Sequence, residues 1–266
     1  MVFDPDWIAF RIPYVDHPVA WYGILFALGF YLAYLMAVPR FGCLLGSKEE
    51  GQRCTDKLLL YIILGTVIGA RLGHILLYDL DFYWAHPGEI LKVWKGGLAS
   101  HGGTLGVILS IWLFARTEKK ISVWTIMDMA AMPVALAVTF IRTGNFINQE
   151  ILGTPTTVPW AVTFGHPEDG SWPEPRHPVQ LYEALAYFAT FCLLFFLEKR
   201  SRWIQEPGRR TGLFLILVFG SRFFLEFFKA DLRAVVDQNY LSAGQILSIP
   251  FILFGIYCCF FKRKSS

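Results

Sequence analysis

This sequence predicts an all-α, polytopic membrane protein, and three observations carry that prediction. Of its 266 residues 55% are hydrophobic and 17% charged, too apolar for a soluble domain of this size. Its apolar stretches recur at lengths of about 20 residues, enough to cross a ~30 Å hydrocarbon core. Its Lys and Arg residues gather in alternate connections between those stretches, as they do where loops sort between two faces of a membrane.

Seven spans are expected, at 19–39, 57–78, 97–115, 122–142, 180–198, 211–228 and 244–261. Residues 1–18 carry Asp4, Asp6, Arg11 and Asp16 without an apolar core, unlike a cleavable signal peptide. The first span, opened by the interfacial aromatics Trp21 and Tyr22, is expected to do the targeting. Span two carries Gly65, Gly69 and Gly73, and span three Gly102 and Gly106. Small residues at spacing four let helix backbones approach in lipid, so packing alone accounts for them. Gly96, Gly97, Gly102 and Gly103 also bracket His101, which suggests a bent backbone where span three begins.

Span four ends in a polar run, Arg142-Thr143-Gly144-Asn145-Phe146-Ile147-Asn148-Gln149-Glu150. An arginine within a membrane helix is costly, so it is there for a partner or a substrate. The following segment, 143–179, holds Pro155, Pro159, Pro167, Pro173, Pro175 and Pro178. It is not a helix. It reads as a small structured cap or a floppy linker, and Trp160, Phe164 and Trp172 favour the cap. The whole chain is read as one integral membrane domain, 1–266, with this cap inserted.

Charge orients the spans. The connections at 40–57, 116–120 and 199–210 with the tail at 262–264 carry fifteen Lys and Arg, and the alternate set carries six. The basic set is assigned to the cytoplasm, placing the N-terminus outside and the C-terminus inside. The remaining basic residues, Arg71, Arg142 and Arg222, lie inside spans. Net charge is only +3 and no basic-aromatic stripe points to nucleic acid. No cysteine falls near the outer face, which argues against an enzyme-borne thiol nucleophile there, and no CxxC pair suggests a metal.

With this orientation Tyr22, His101, Gln180, Tyr182, Glu183 and Gln245 stand at outer helix ends, together with Arg71, His74, Arg142, Asn145, Arg222 and Glu226. A polar rim of this kind suits an outward-facing site. Arg222 and Glu226 are four residues apart, Arg71 and His74 three, and Asn145 and Asn148 follow Arg142 by three and six, spacings that share helix faces. Guanidiniums bind phosphate oxygens with a bidentate fork, so an anionic lipid headgroup is the natural guest. For each residue alone, snorkelling or a structural pair such as Arg222 with Glu226 is the competing explanation. His101, with an unperturbed pKa of about 6.5, is the leading general base, ahead of His74, His177 and Glu226.

Several segments together resemble the prolipoprotein diacylglyceryl transferases of bacterial cytoplasmic membranes. Arg142 to Glu150 followed by Gly153 is similar to the family's Gly-Arg-x-Gly-Asn-Phe-Ile-Asn-x-Glu signature. Trp21-Tyr22-Gly23, Gly69 to Gly73, Ser100 to Gly103, Arg176-His177-Pro178, Gln180 to Glu183, Arg222 to Phe228 and Gly244 to Ser248 resemble its other blocks. The departures are Ile141 in place of glycine and Lys229-Ala230-Asp231 in place of Arg-x-Pro-Asp. The resemblance implies transfer of a diacylglyceryl group from phosphatidylglycerol to the lipobox cysteine thiol of a prolipoprotein, forming a thioether and releasing glycerol 1-phosphate. It implies catalytic roles for His101, Arg142 and Arg222, and adds Tyr22, Asn145, Glu150, Gly153 and Glu226 to the functional set. Arg71, Asn148 and Tyr182 complete the expected substrate-binding residues. No metal or other cofactor is expected. A secondary transporter would place its charges near the midplane with repeat symmetry, and an intramembrane serine protease would need more than the lone Gly220-Ser221-Arg222.

Overall fold

Why the helices begin and end where they do follows largely from their termini. The computed structural model describes residues 2–14, 16–118, 120–230 and 241–260. Its order is β1 (Val2–Phe3), β2 (Ile8–Ile12), β3 (His17–Ala20), α1 (Trp21–Leu45), α2 (Lys48–Leu77), α3 (Leu80–Ala85), α4 (Ser100–Thr117), α5 (Val123–Ile147), β4 (Val162–Phe164), β5 (Pro175–Arg176), α6 (Val179–Arg200), α7 (Arg209–Leu225) and α8 (Ala243–Phe260). Lys119, Asp231 and the rest of 231–240, and the basic tail at 262–264, all used in the sequence argument, lie outside the described residues.

The all-helical membrane class stands, and among the described residues six helices rather than seven are long and apolar enough to span: α1, α2, α5, α6, α7 extended to Phe228, and α8. The expected span at 97–115, the third in order, becomes α4. Its opening Ser-His-Gly-Gly-Thr is polar or small, and its end reaches Arg116 and Thr117, so only its middle is strongly apolar. α2 begins well before the expected apolar stretch. Ser47 accepts a hydrogen bond from the Glu50 amide at 3.1 Å, with Glu49 and Glu50 in the first turn; such a cap and acidic start favour a helix N-terminus whatever its hydropathy.

By packing, the chain forms two compact units, residues 1–36 with 127–266, and residues 37–126. In the second unit α2 lies along α4. A Cβ on Gly69 would run into the Gly102 carbonyl oxygen and one on Gly106 into that of Gly65, so the glycine stripes are the contact itself. Ser110 closes the seam by donating to the Tyr61 carbonyl at 2.7 Å.

In the first unit α7 packs on α6 and α8. The α7 N-terminus is capped from another helix: Asp128 on α5 accepts from the amides of Gly208 and Thr211 at 2.6 and 2.9 Å and from the Thr211 hydroxyl at 2.7 Å. α8 starts in a capping box, Ser242 Oγ accepting from the Gln245 amide and Gln245 Oε1 from the Ser242 amide. The proline-rich segment is structured. β4 within it pairs in parallel with β1 and antiparallel with β5, and Phe3, Phe146 and Phe164 meet beneath, ring centroids 4.4 to 6.3 Å apart. α5 itself runs on to Ile147, so the segment leaves the helix later than 143. Of its three aromatics Phe164 is buried and Trp160 is hydrogen-bonded, but Trp172 is 89% exposed and packs on little.

Candidate functional site

Most of the sequence-predicted residues meet in the first unit, around the C-terminal end of α5. There Arg142 places Nε 2.8 Å from Glu183 of α6 and donates from Nη1 to Asn145 Oδ1 at 3.1 Å. Asn145 in turn donates to Glu150 at 2.6 Å, and Asn148 to the other oxygen of the same carboxylate at 2.9 Å. The signature run therefore forms one connected polar network. Tyr22 lies against Gly144, where a Cβ would come within 2.8 Å of its ring.

The backbone there is held in an unusual shape. Gln149 and Ile151, either side of Glu150, both have φ of +54°, a region costly for a β-branched residue. Hydrogen bonds from the Glu150 amide to the Asn145 carbonyl and from Gln180 to the Glu150 carbonyl hold the turn. Gly153 follows, and a Cβ there would collide with the His177 carbonyl oxygen. The chain passes through this gap to bridge with Lys229: Thr154 N–H bonds the Phe228 carbonyl at 2.7 Å, and Ala230 N–H the Leu152 carbonyl at 3.0 Å.

Arg222 and Glu226 do not pair. α7 ends at Leu225 and 226–228 form a 3-10 turn, but the Glu226 amide still bonds the Arg222 carbonyl, so the backbone keeps helical register and only the side chains part. Glu226 instead faces Lys229 at 3.0 Å, and Lys229 also reaches Glu183 at 2.9 Å. Both carboxylates meet their cations at ion-pair distance without aligned hydrogen bonds. Arg222, half-buried, has no hydrogen bond or ion pair among the described residues. Tyr187 hydrogen-bonds Arg142 and is also within electrostatic reach of Arg222.

Tyr182 is engaged elsewhere, accepting from Trp160 Nε1 at 2.6 Å and lying 3.2 Å from His177 Nδ1. Arg71 and His101 belong to the second unit. The Arg71 guanidinium is buried and donates to the carbonyls of Glu89, Ile90, Gly96 and Gly97, over the Tyr83 ring at 4.9 Å. It lines a cavity of about 480 Å³ with His74 and Tyr83, and His74 contacts Asp79 at 2.9 Å. His101 is exposed in the first turn of α4, with no hydrogen bond or ion pair among the described residues.

Two residues central to this geometry had no role on sequence grounds. Glu183 was one polar residue among several at outer helix ends, since nothing in sequence spacing joins it to Arg142 across two helices. Lys229 figured only as a departure from a motif, although its position three residues after Glu226 was a usable signal.

A helical membrane protein with Arg142 and Arg222 in its spans, Arg222 without a hydrogen bond or ion pair among the described residues, has the means to bind anionic lipid or phosphate groups, which defines a class of protein. Comparison with known proteins narrows the class. Residues 7–261 match the family model for prolipoprotein diacylglyceryl transferase. A phosphatidylglycerol–prolipoprotein diacylglyceryl transferase of Tolumonas auensis is 46% identical over 248 residues, covering 92% of each chain. Enzymes of the same name from Chlamydia caviae and Protochlamydia amoebophila are 42% and 37% identical, covering 92% and 100% of this chain and 88% and 95% of their own. The chain belongs to the prolipoprotein diacylglyceryl transferase family, a family of multi-pass membrane transferases of lipoprotein biosynthesis.

Proposed function

We propose that the chain moves the diacylglyceryl group of phosphatidylglycerol to the lipobox cysteine of a prolipoprotein at the bacterial cytoplasmic membrane, with Arg142 and Arg222 holding the phosphodiester. The observation that carries this is Arg222, with no hydrogen bond or ion pair among the described residues and within electrostatic reach of the same Tyr187 as an Arg142 whose Nε and Nη1 are already fixed. The charge asymmetry of the connections supports an N-terminus outside, a cytoplasmic C-terminus and an outward-facing site.

The substrate thiol, of unperturbed pKa about 8.5, must lose its proton before it attacks. The thiolate sulfur then bonds to the glyceryl carbon that carries the phosphate, and the carbon–oxygen bond to phosphate breaks. A thioether forms and glycerol 1-phosphate leaves with one more negative charge than the diester had. Guanidiniums fixed beforehand stabilise that growing charge without reorganising. Asn145 and Tyr22 hydrogen-bond the headgroup, and Glu150, held by two amides, keeps Asn145 and Asn148 in place. Gly153 and Tyr182 shape the turn and the segment over it, and Glu226 completes the charge balance. Arg71 acts on substrate through the 89–97 backbone it organises. His101 is the proposed acceptor of the thiol proton, on the strength of an exposed imidazole with no hydrogen bond or ion pair among the described residues.

The test follows release of glycerol phosphate from headgroup-labelled phosphatidylglycerol by the purified protein with a lipobox peptide. Arg222→Ala should lower kcat/KM by about a hundredfold or more, and full activity in that variant would remove the phosphate assignment. Full turnover by His101→Gln would remove the base assignment alone.

A further inference from the structure

Two buried carboxylates, Glu183 and Glu226, could neutralise Arg142 and Arg222, and one buried lysine meets both. Glu183 is fully buried, and Glu226 and Lys229 are 5% and 6% exposed. We propose that Lys229 is a positioning residue, a buried counter-cation that takes up the charge of Glu183 and Glu226 and so leaves the two arginines to the lipid phosphodiester. This rests on the reading of Arg142 and Arg222 as the phosphate site.

The charges at the site argue for it. Among the described residues of the network Arg142, Arg222 and Lys229 stand against Glu150, Glu183 and Glu226, three formal positive charges against three negative. A monoanionic phosphodiester then enters without net repulsion. Without Lys229 the same network carries one net negative charge in a poorly solvated setting, where a unit charge acts strongly. Among the described residues Glu183 would then keep only Arg142 as an ion-pair partner, and Glu226 would have none.

The surrounding structure holds Lys229 to this task. Its backbone bridges to Gly153, so the turn that carries Glu150 also sets the lysine. On the far side Glu226 Oε1 accepts from Ser242 at 3.3 Å and sits against Gly244, where a Cβ would overlap it. That carboxylate therefore rests at the N-terminus of α8, whose partial positive charge favours it there. Lys229 and α8 together hold Glu226 away from Arg222.

The test compares binding of phosphatidylglycerol and of diacylglycerol, which lacks the phosphate, to the purified protein and to Lys229→Met, Lys229→Arg, Lys229→Met/Glu226→Gln and Arg222→Ala. Lys229→Met should lose about tenfold in affinity for phosphatidylglycerol while diacylglycerol binding moves by less than about twofold. Lys229→Arg keeps the charge and should bind phosphatidylglycerol like the parent protein. The double variant restores neutrality and should recover most of the loss. Equal losses for both lipids in Lys229→Met, or a double variant no better than the single one, would overturn the proposal by making Lys229 a support of the fold only. Unchanged phosphatidylglycerol binding by Arg222→Ala would instead remove the phosphate site on which it rests.

Discussion

Arg222 and Glu226 stand four residues apart, the spacing that joins side chains on a helix, yet the Glu226 carboxylate meets Lys229 and Ser242 instead. That choice of partner decides what each residue can do, because a paired arginine is a strut and an unpaired one is a ligand. Geometry as well as charge should count at this position. Arg222→Lys keeps the charge and loses the bidentate fork, so it should retain only a small fraction of turnover, between the parent protein and Arg222→Ala; activity equal to the parent would show that charge alone suffices. Gly153 carries a second prediction. Any side chain there meets the His177 carbonyl, so Gly153→Ala should displace the turn that carries Glu150 and abolish activity. Retained activity in that variant would mean the turn shifts without harm. Arg71 is the opposite kind of arginine. Its donors end on backbone carbonyls of 89–97, and Arg71→Met should lower stability in detergent by about 1–3 kcal/mol through the loss of these charge-assisted hydrogen bonds.

Elements here are ended and joined by polar contacts that hydropathy does not encode. Asp128 caps α7 from α5, with three hydrogen bonds between positions 80 and 83 residues apart. Asp128→Ala should cost about 1–2 kcal/mol, the range for losing a helix cap, and should loosen amide protection in the first turn of α7 before the rest; uniform loosening would contradict this local role. The α2–α4 seam depends on size instead. A leucine at Gly69 would force the helices apart at Gly102 and Gly106, and a melting point equal to the parent's would contradict the close approach. These seams were legible as glycine stripes, and the apolar helices as hydropathy. The start of α2 was not, since a cap and acidic turn rather than an apolar run begins it. α4 was read as a span because its apolar middle resembles one, although its first turn is polar.

For the whole molecule, the N-terminal segment and the proline-rich segment are tied by Asp4, His166 and Gln149. His166 Nδ1 lies 2.6 Å from Asp4, and Gln149 donates to the same carboxylate oxygen at 3.3 Å. The His166 contact holds the Asp4 carboxyl below its ordinary value. A carboxyl lowered on folding adds stability that is present above its unfolded value and is lost as pH falls through the folded one. The 2–14 segment should therefore become more open to proteolysis below the ordinary carboxylate range, and Asp4→Asn should remove that pH dependence; an unchanged profile in the variant would exclude the clasp. Orientation is tested by cysteines introduced at Trp172 and Ser201 in a background without native thiols. An impermeant reagent outside intact cells should label position 172 and spare 201, and the reverse pattern would invert the proposed topology.

How much of this was written in the sequence depends on range. Arg142, Asn145, Asn148 and Glu150 were legible as a set because they form one local run, and that run does close into one network. The partners that fix it, Glu183 and Lys229, come from other helices and are chosen by tertiary packing. The pairing of β1 with β4 has the same origin. The most direct measurement is mass spectrometry of a lipobox-cysteine peptide incubated in detergent with phosphatidylglycerol and the purified protein, beside Arg142→Ala. A diacylglyceryl mass gain that disappears in the variant is the predicted result; no gain from well-folded parent protein, or an undiminished gain from Arg142→Ala, would contradict the account.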